Sequence, residues 1–492
     1  MDIDLNSTVD NRNLALSNII SPAECIGMYT TLNEIINSEK IGQLHLLYSN
    51  FQITYGDYGI LTNINVPYID LIKSTKKNKV ICDLIIINNP EDAERLANNH
   101  IKKIPNLKPF LGNSIISTTD VDDWKIQRGH YTPSFSVSTE LDKLIPISNN
   151  RAILATDVLW TLSNNGNNSI NISDYFLSET QAQLQLALFG FSNEFQEKTN
   201  KNIRCMFSGE KMEYVKEFVP KFLKELEFAK GPLGKTMNNR FNQLNNRSNS
   251  EMIGNSLIFS FAGHDTTAHT LSWLIYELSK NHTIQNKLLN EIDKFWNTQQ
   301  DKDILYSDLK RLPFMTRCIM ETLRLWPAIP NGTYRELIND DYIIGKNGAH
   351  IILPKGTYIQ IPNWSRHRSS DLWGNDVDIF NPDREFKDDE LWNNTVINSY
   401  NPSSERFSPF TYGPRDCIGK NFSQIEMRLI LLHLLRSFTF NLTDKQKTCY
   451  DNTTIGFNSF TFGPRNIENN NLRDSTLGLY VTILPRNIKS KL

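Results

Sequence analysis

Hydrophobic positions change their rhythm several times along the chain. Through the first 110 residues they come in short runs closed by turn residues. "YGDYGIL" and "VICDLIIINNPEDAERLA" predict strands, the second leading through Asn-Pro into a helix opened by acids. From about 115 to 320 the spacing becomes helical, with polar interruptions near 163–170, 192–203 and 231–250. The clearest helix lies within 251–280, where Ile253, Leu257 and Phe261 form one stripe and Leu271, Leu274, Ile275 and Leu278 another. "FMTRCIMETLRLW" predicts a helix that stops at Pro327. Beyond it come a strand-rich piece over 340–362, a Pro/Asp/Asn-rich meander to 409, a helix from about 418 to 437 and terminal strands in "GLYVTILPR". No shift in composition marks a linker. The expected class is mainly α with small β-sheets (α+β), one large domain with its β pieces toward the two ends.

Composition narrows the function classes. With 39% hydrophobic and 22% charged residues the chain has ample material for a core, and a net charge of −2 gives no basic field for nucleic acid. The six cysteines are scattered without a CxxC pair, so neither a disulfide framework nor a zinc site is expected. The N-terminus carries acids where a signal peptide has cations, and no apolar run is long enough to span a bilayer. These features predict an intracellular protein, soluble or peripherally membrane-associated.

Candidate chemistry centres on "FTYGPRDCIG", residues 410–419, which has a near-twin in "FTFGPRNIEN", residues 460–469. Gly413 and Gly419 bracket Cys417 and allow tight turns and close approach of something flat. The helix that follows offers free N–H groups to a thiolate, and Arg415 adds a cation. The bland alternative is a buried structural cysteine. The twin lacks the cysteine, the second glycine and a following helix, so it predicts a strand of a C-terminal hairpin, its likeness a coincidence.

Phe410, Gly413, Arg415, Cys417 and Gly419 spell Phe-x-x-Gly-x-Arg-x-Cys-x-Gly, which resembles the haem-binding loop of the cytochrome P-450 family. Three further motifs follow the family's order. Glu321 and Arg324, at i and i+3, meet on one face of an apolar helix; the plain reading is a surface ion pair. The resemblance implies that Arg384, in "FNPDREF", completes a buried cluster supporting the cysteine loop. In "FAGHDTTAHTL" a mid-helix Gly263 needs a reason, either close approach of a ligand or helix packing, and a threonine hydroxyl bonding backward would open the helix locally. The resemblance implies that Thr266 hydrogen-bonds dioxygen and Asp265 helps deliver protons. His264 and His269 are five apart, not four, which does not fit a zinc pair on one helix face. Trp124 and Arg128, at i and i+4, are spaced to grip a carboxylate. In the family that pair binds a haem propionate, and Arg335 matches a second propionate-binding arginine.

The resemblance covers about nine-tenths of the chain and implies a cytochrome P-450 catalytic domain over 41–492, preceded by an extension over 1–40 without a transmembrane anchor. It implies haem b bound through the Cys417 thiolate. The expected reaction inserts one oxygen atom of O2 into a small, largely apolar substrate, with electrons from a flavin reductase-type or ferredoxin-type donor. The competing readings are a haem-thiolate isomerase or dehydratase acting on peroxides, and a non-catalytic haem protein. Intact Asp265-Thr266 and an uninterrupted cysteine loop argue against the isomerase. Residues 165–250 match no quotable motif and are expected to hold mobile helices over a substrate entrance. Lys420 and Arg428 are candidates for a basic docking face, with a solvated helix face as the plain alternative.

Overall fold

The computed structural model describes residues 57–70, 75–190, 212–244, 249–299, 302–344, 350–387, 404–447, 456–458, 461–464 and 478–486, with a few isolated positions. The expected extension over 1–40 lies outside the described residues, as does 191–211. The longer elements run in the order β1 (Tyr58–Asp70), β2 (Thr75–Ile87), α1 (Pro90–Asn99), α2 (Val121–Ser136), α3 (Ile145–Leu162), α4 (Ile172–Phe189), α5 (Met212–Glu227), α6 (Pro232–Asn242), α7 (Ser250–Ala262), α8 (Asp265–Lys280), α9 (His282–Gln299) and α10 (Pro313–Leu325). Then follow β3 (Thr333–Glu336), β4 (Asp341–Ile344), β5 (His350–Leu353), β6 (Tyr358–Ile361), α11 (Lys420–Ser437), β7 (Phe438–Leu442), β8 (Gly456–Asn458), β9 (Phe462–Pro464) and β10 (Tyr480–Pro485). The protein is mainly helical with small sheets, as its hydrophobic rhythm predicts.

The largest sheet joins the N-terminal strands to the strand-rich piece that follows α10. Its order is β1-β2-β6-β3, antiparallel except for the parallel pairing of β2 with β6. Asn89 caps α1 by accepting the Asp92 N–H at 3.0 Å, and Pro90 fills the first helical position, where its missing N–H costs nothing. One face of α1 thereby packs on this sheet, and its C-terminal end meets the cysteine loop. The helical core is built around α4, α8, α10 and α11, whose apolar side chains form one continuous buried cluster.

Two expectations change. Helix α4, inside the stretch expected to be a mobile cover, belongs to the core: most of its residues are buried, including Thr180, Leu184 and Leu188. Arg428 is buried as well, donating to the Gln424 carbonyl at 3.3 Å and to Thr316 Oγ1 at 2.9 Å. It is a core arginine, not part of a docking face.

Candidate haem-thiolate site

The segment leading into Cys417 is a tight, strained turn. Thr411 and Gly413 both have positive φ, 64° and 57°, a conformation that costs an ordinary L-residue about 1–2 kcal/mol. A Cβ at Gly413 would lie 2.2 Å from Asn98 Oδ1, so the glycine also lets the loop sit against α1. The Asp416 N–H closes onto the Gly413 carbonyl at 3.0 Å, and the Cys417 N–H donates to the Phe410 carbonyl at 2.9 Å. Cys417 then stands just ahead of α11, with Gly419 at the helix N-cap.

The Cys417 side chain is accessible although it sits in a densely packed part of the protein. Burial pushes its pKa up, and the nearby Asp416 carboxylate adds to this. The Gly419 N–H, Arg128 and Lys420 oppose the rise, which is the local bias a thiolate ligand needs. Arg128 donates to the Asp416 carbonyl at 2.7 Å and pairs with its carboxylate; Lys420 takes the other carboxylate oxygen at 2.6 Å. Arg128 therefore does grip a carboxylate, but one from the protein's own cysteine loop. Trp124 lies beneath Arg415, whose guanidinium is 4.4 Å from the indole ring.

Behind the loop the ion cluster is closed. Glu321 receives two bonds from Arg324, both 2.8 Å, and a third from Arg384 at 3.2 Å, and all three residues are buried. Arg384 also forms a two-point pair with Asp376, at 2.8 and 3.0 Å. Arg324 donates on to the His367 carbonyl at 2.9 Å, and the His367 ring nitrogen Nε2 accepts the Ser408 N–H at 3.1 Å. Arg366 is buried beside it, bonded to Ser408 Oγ at 2.9 Å, the Glu405 carbonyl at 3.0 Å and the Tyr412 hydroxyl. Support of the loop thus passes from Glu321 through His367 and Arg366 to residues 408–412. No spacing motif in the sequence marks Arg366.

A second cluster, of Arg335, Arg415 and Lys103, is cationic, and none of the three forms an ion pair among the described residues; Asp123 is the acid that acts on Arg415 from a distance. Arg335 is fully buried, and its Nε and Nη2 find no partner among the described residues. Burial pushes its pKa down to about 9. Arg415 is also pushed down to about 9, by burial and then by Arg335 and Arg128; its own bonds go to the carbonyls of Ile101, Ile115 and Thr118. Lys103, which no motif singles out, is pushed well below its usual range by burial, Arg335 and Arg415. Lys103 and Arg335 both donate to Thr333 Oγ1, a neutral oxygen. Cations gathered in this way, with unpaired N–H groups on Arg335, favour an anionic ligand.

The predicted helix within 251–280 is broken at Gly263 and His264, which separate α7 from α8. Thr266 Oγ1 leans back on the Ala262 carbonyl at 3.4 Å, and Thr180 from α4 donates to the His264 carbonyl at 3.1 Å. A Cβ at Gly263 would strike the Leu184 methyls at 2.7 and 2.8 Å, so helix packing accounts for the glycine. Asp265 is buried at the start of α8, while Thr266 is partly accessible.

A family model described as cytochrome P450 matches residues 232–468. Putative cytochrome P450 CYP13A2 of Caenorhabditis elegans is 33% identical over 200 residues, covering 41% of this chain and 35% of that protein. Cytochrome P450 4F8 of Homo sapiens is 35% identical over 179 residues, covering 36% of this chain and 32% of that protein. Cytochrome P450 4F12 of Homo sapiens is 25% identical over 414 residues, covering 73% and 76%. The chain spans about a third of the length of the first two relatives and three-quarters of the third.

Proposed function

This chain belongs to the cytochrome P450 family, and from that premise we propose that it is a haem-thiolate monooxygenase acting on a small, largely apolar substrate. The observation that carries the reading is the cationic cluster of Arg335, Arg415 and Lys103, in no ion pair among the described residues, beside the loop that presents Cys417. A haem satisfies both needs, with propionates for the cations and iron for the sulfur.

When bound through a cysteine, the haem supplies an electron-rich iron suited to O–O cleavage. The protein's part is positional. Gly413 and Gly419 leave room at the loop, and the Gly419 N–H, Arg128 and Lys420 favour the charged sulfur. Arg335, Arg415 and Lys103 hold the propionates; Arg128 and Trp124 act through the loop, by clamping Asp416 and by lying under Arg415. Phe410 anchors the loop through its carbonyl. Asp265 and Thr266, at the helix break, hold and move protons. Glu321, Arg324 and Arg384 keep the loop's backing rigid. The intact acid–alcohol pair favours the monooxygenase over an isomerase.

The electrons come from a donor protein of the flavin reductase or ferredoxin type. Among the described residues no helix is long and apolar enough to cross a membrane. The catalytic domain is proposed to span 41–492. The test is the absorption spectrum of reduced protein under carbon monoxide. The strongly red-shifted Soret band of thiolate ligation is expected. A band typical of histidine ligation, or no haem band, rejects the proposal, and Cys417→Ser should abolish the signal.

A further inference from the structure

Residues 461–464, part of the stretch 460–469 that reads in the sequence as a chance likeness of the cysteine loop, reach the acid of the Asp265–Thr266 pair. Thr461 Oγ1 hydrogen-bonds Asp265 Oδ2 and lies 2.9 Å from Nδ1 of His269, one turn further along α8. All three residues are buried. The approach is built into the hairpin of β8 and β9. A Cβ at Gly463 would lie 2.6 Å from His269 Cδ2 and 2.7 Å from its Nε2, so only glycine lets the strand close on the ring. Phe462 fixes the strand beside it. Its N–H donates to the Ala328 carbonyl at 2.9 Å, its carbonyl accepts Trp273 Nε1 at 3.0 Å, and its ring stacks on Trp273 with centroids 5.3 Å apart.

A threonine hydroxyl has one proton to donate, which gives the three-member chain a direction. With Asp265 ionised, Thr461 must donate to the carboxylate and accept from His269, whose proton then sits on Nδ1. With Asp265 protonated the chain reverses, and neutral His269 carries its proton on Nε2. Passing one proton from a His269 imidazolium to the Asp265 carboxylate breaks the Nδ1–H and Thr461 O–H bonds. It forms a new Thr461 O–H and an Asp265 O–H, leaves neutral His269, and moves no electrons.

We propose that Thr461 and His269 are positioning residues that hold Asp265 and relay a proton to it, making the C-terminal hairpin part of the proton supply. The inference rests on the reading of Asp265 as an acid of the proposed reaction. The direct test is nitrogen-15 NMR of histidine-labelled full-length protein, reduced and treated with carbon monoxide, with H269Q assigning the signal. His269 should carry its proton on Nδ1 in the unmutated protein and in T461S, and should switch to Nε2 in D265A. A proton on Nε2 in the unmutated protein, or no switch in D265A, overturns the relay.

In turnover, T461V should let the carboxylate fall toward His269 Nδ1, 3.6 Å away, and G463A should push the strand off the ring. Each should raise the share of reducing equivalents lost as peroxide about threefold or more, a displaced acid–base group costing less than the roughly 10²–10⁴-fold such a group contributes in place, and T461S should not. An unchanged share in both overturns the positioning role. Failure of the haem reading would appear separately, as a missing thiolate band in the same sample, and the histidine signal would still decide the relay.

Discussion

Glu321 and Arg324, three residues apart on α10, make a two-point ion pair with both bonds at 2.8 Å and neither side chain reaching solvent. Such a pair gains little over apolar residues of the same volume, but losing one partner leaves a buried charge uncompensated. The relationship therefore stabilises geometry more than it adds net energy. Its output is the carbonyl of His367, which ties α10 to the approach of the cysteine loop.

Arg324→Ala should cost about 3–5 kcal/mol, the usual penalty for breaking a buried pair. It should also lower haem content out of proportion to the loss of folded protein. Denaturant titration and the haem-to-protein ratio check this together. A shift under about 1 kcal/mol would return the pair to the class of surface contacts.

Cys417 is accessible, yet its thiol is held above the ordinary value of 9.0. Haem-free protein should therefore be alkylated slowly at neutral pH, with a rate still rising above pH 9, because thiolate is the reacting form. Lys420→Gln removes a cation that lowers the pKa and should displace the profile further upward. Mass spectrometry of iodoacetamide-treated protein gives the rate, and a plateau below pH 9 would contradict the assignment of causes.

The legible parts of the site were those whose chemistry is written at fixed local spacing. Cys417 with its two glycines, and Glu321 with Arg324, declare themselves within ten residues. The break at Gly263 was legible as a composition that a straight helix does not favour. Lys103, Arg366 and Thr461 were not legible, because each matters only through a neighbour distant in sequence: Lys103 through Thr333, Arg366 through Tyr412, Thr461 through Asp265. A single Lys, Arg or Thr carries no periodic signal. Arg428 departs from expectation for the opposite reason: a charged residue on a helix suggests solvent, and here the guanidinium lies in the core with its two Nη groups hydrogen-bonded.

Gly413→Ala combines two penalties, a positive φ of 57° and a Cβ 2.2 Å from Asn98 Oδ1. Strain of this kind costs about 1–3 kcal/mol. Asn98→Ala in the same chain should relieve the clash and recover only part of the loss, since the backbone angle is unchanged. Thermal melts of the single and double variants measure both parts, and complete recovery would show that φ costs nothing here.

Thr266→Ala removes the hydroxyl at the helix break and leaves the cation cluster and Cys417 untouched. Haem content and the carbon monoxide spectrum should stay as they are, while product formation per electron falls about tenfold or more and peroxide rises. Unchanged coupling would remove Thr266 from proton handling.

Arg335 is the sharpest test of the cationic cluster, since its Nε and Nη2 lack partners among the described residues and burial pushes its pKa down to about 9. A base held below its ordinary value binds its proton less well in the folded state than in the unfolded one. Folded, haem-free protein therefore gains stability as pH rises above about 9 toward the ordinary arginine range, and has lost that contribution below about 9. Arg335→Met should stabilise the haem-free protein at neutral pH, flatten its stability gain between about pH 8.5 and 10.5, and weaken haem retention. Paired denaturation curves at the two pH values, with haem transfer to an acceptor protein, separate these effects. Equal slopes together with unchanged haem transfer would mean that Arg335 has its counter-charge within the protein and is not waiting for a ligand.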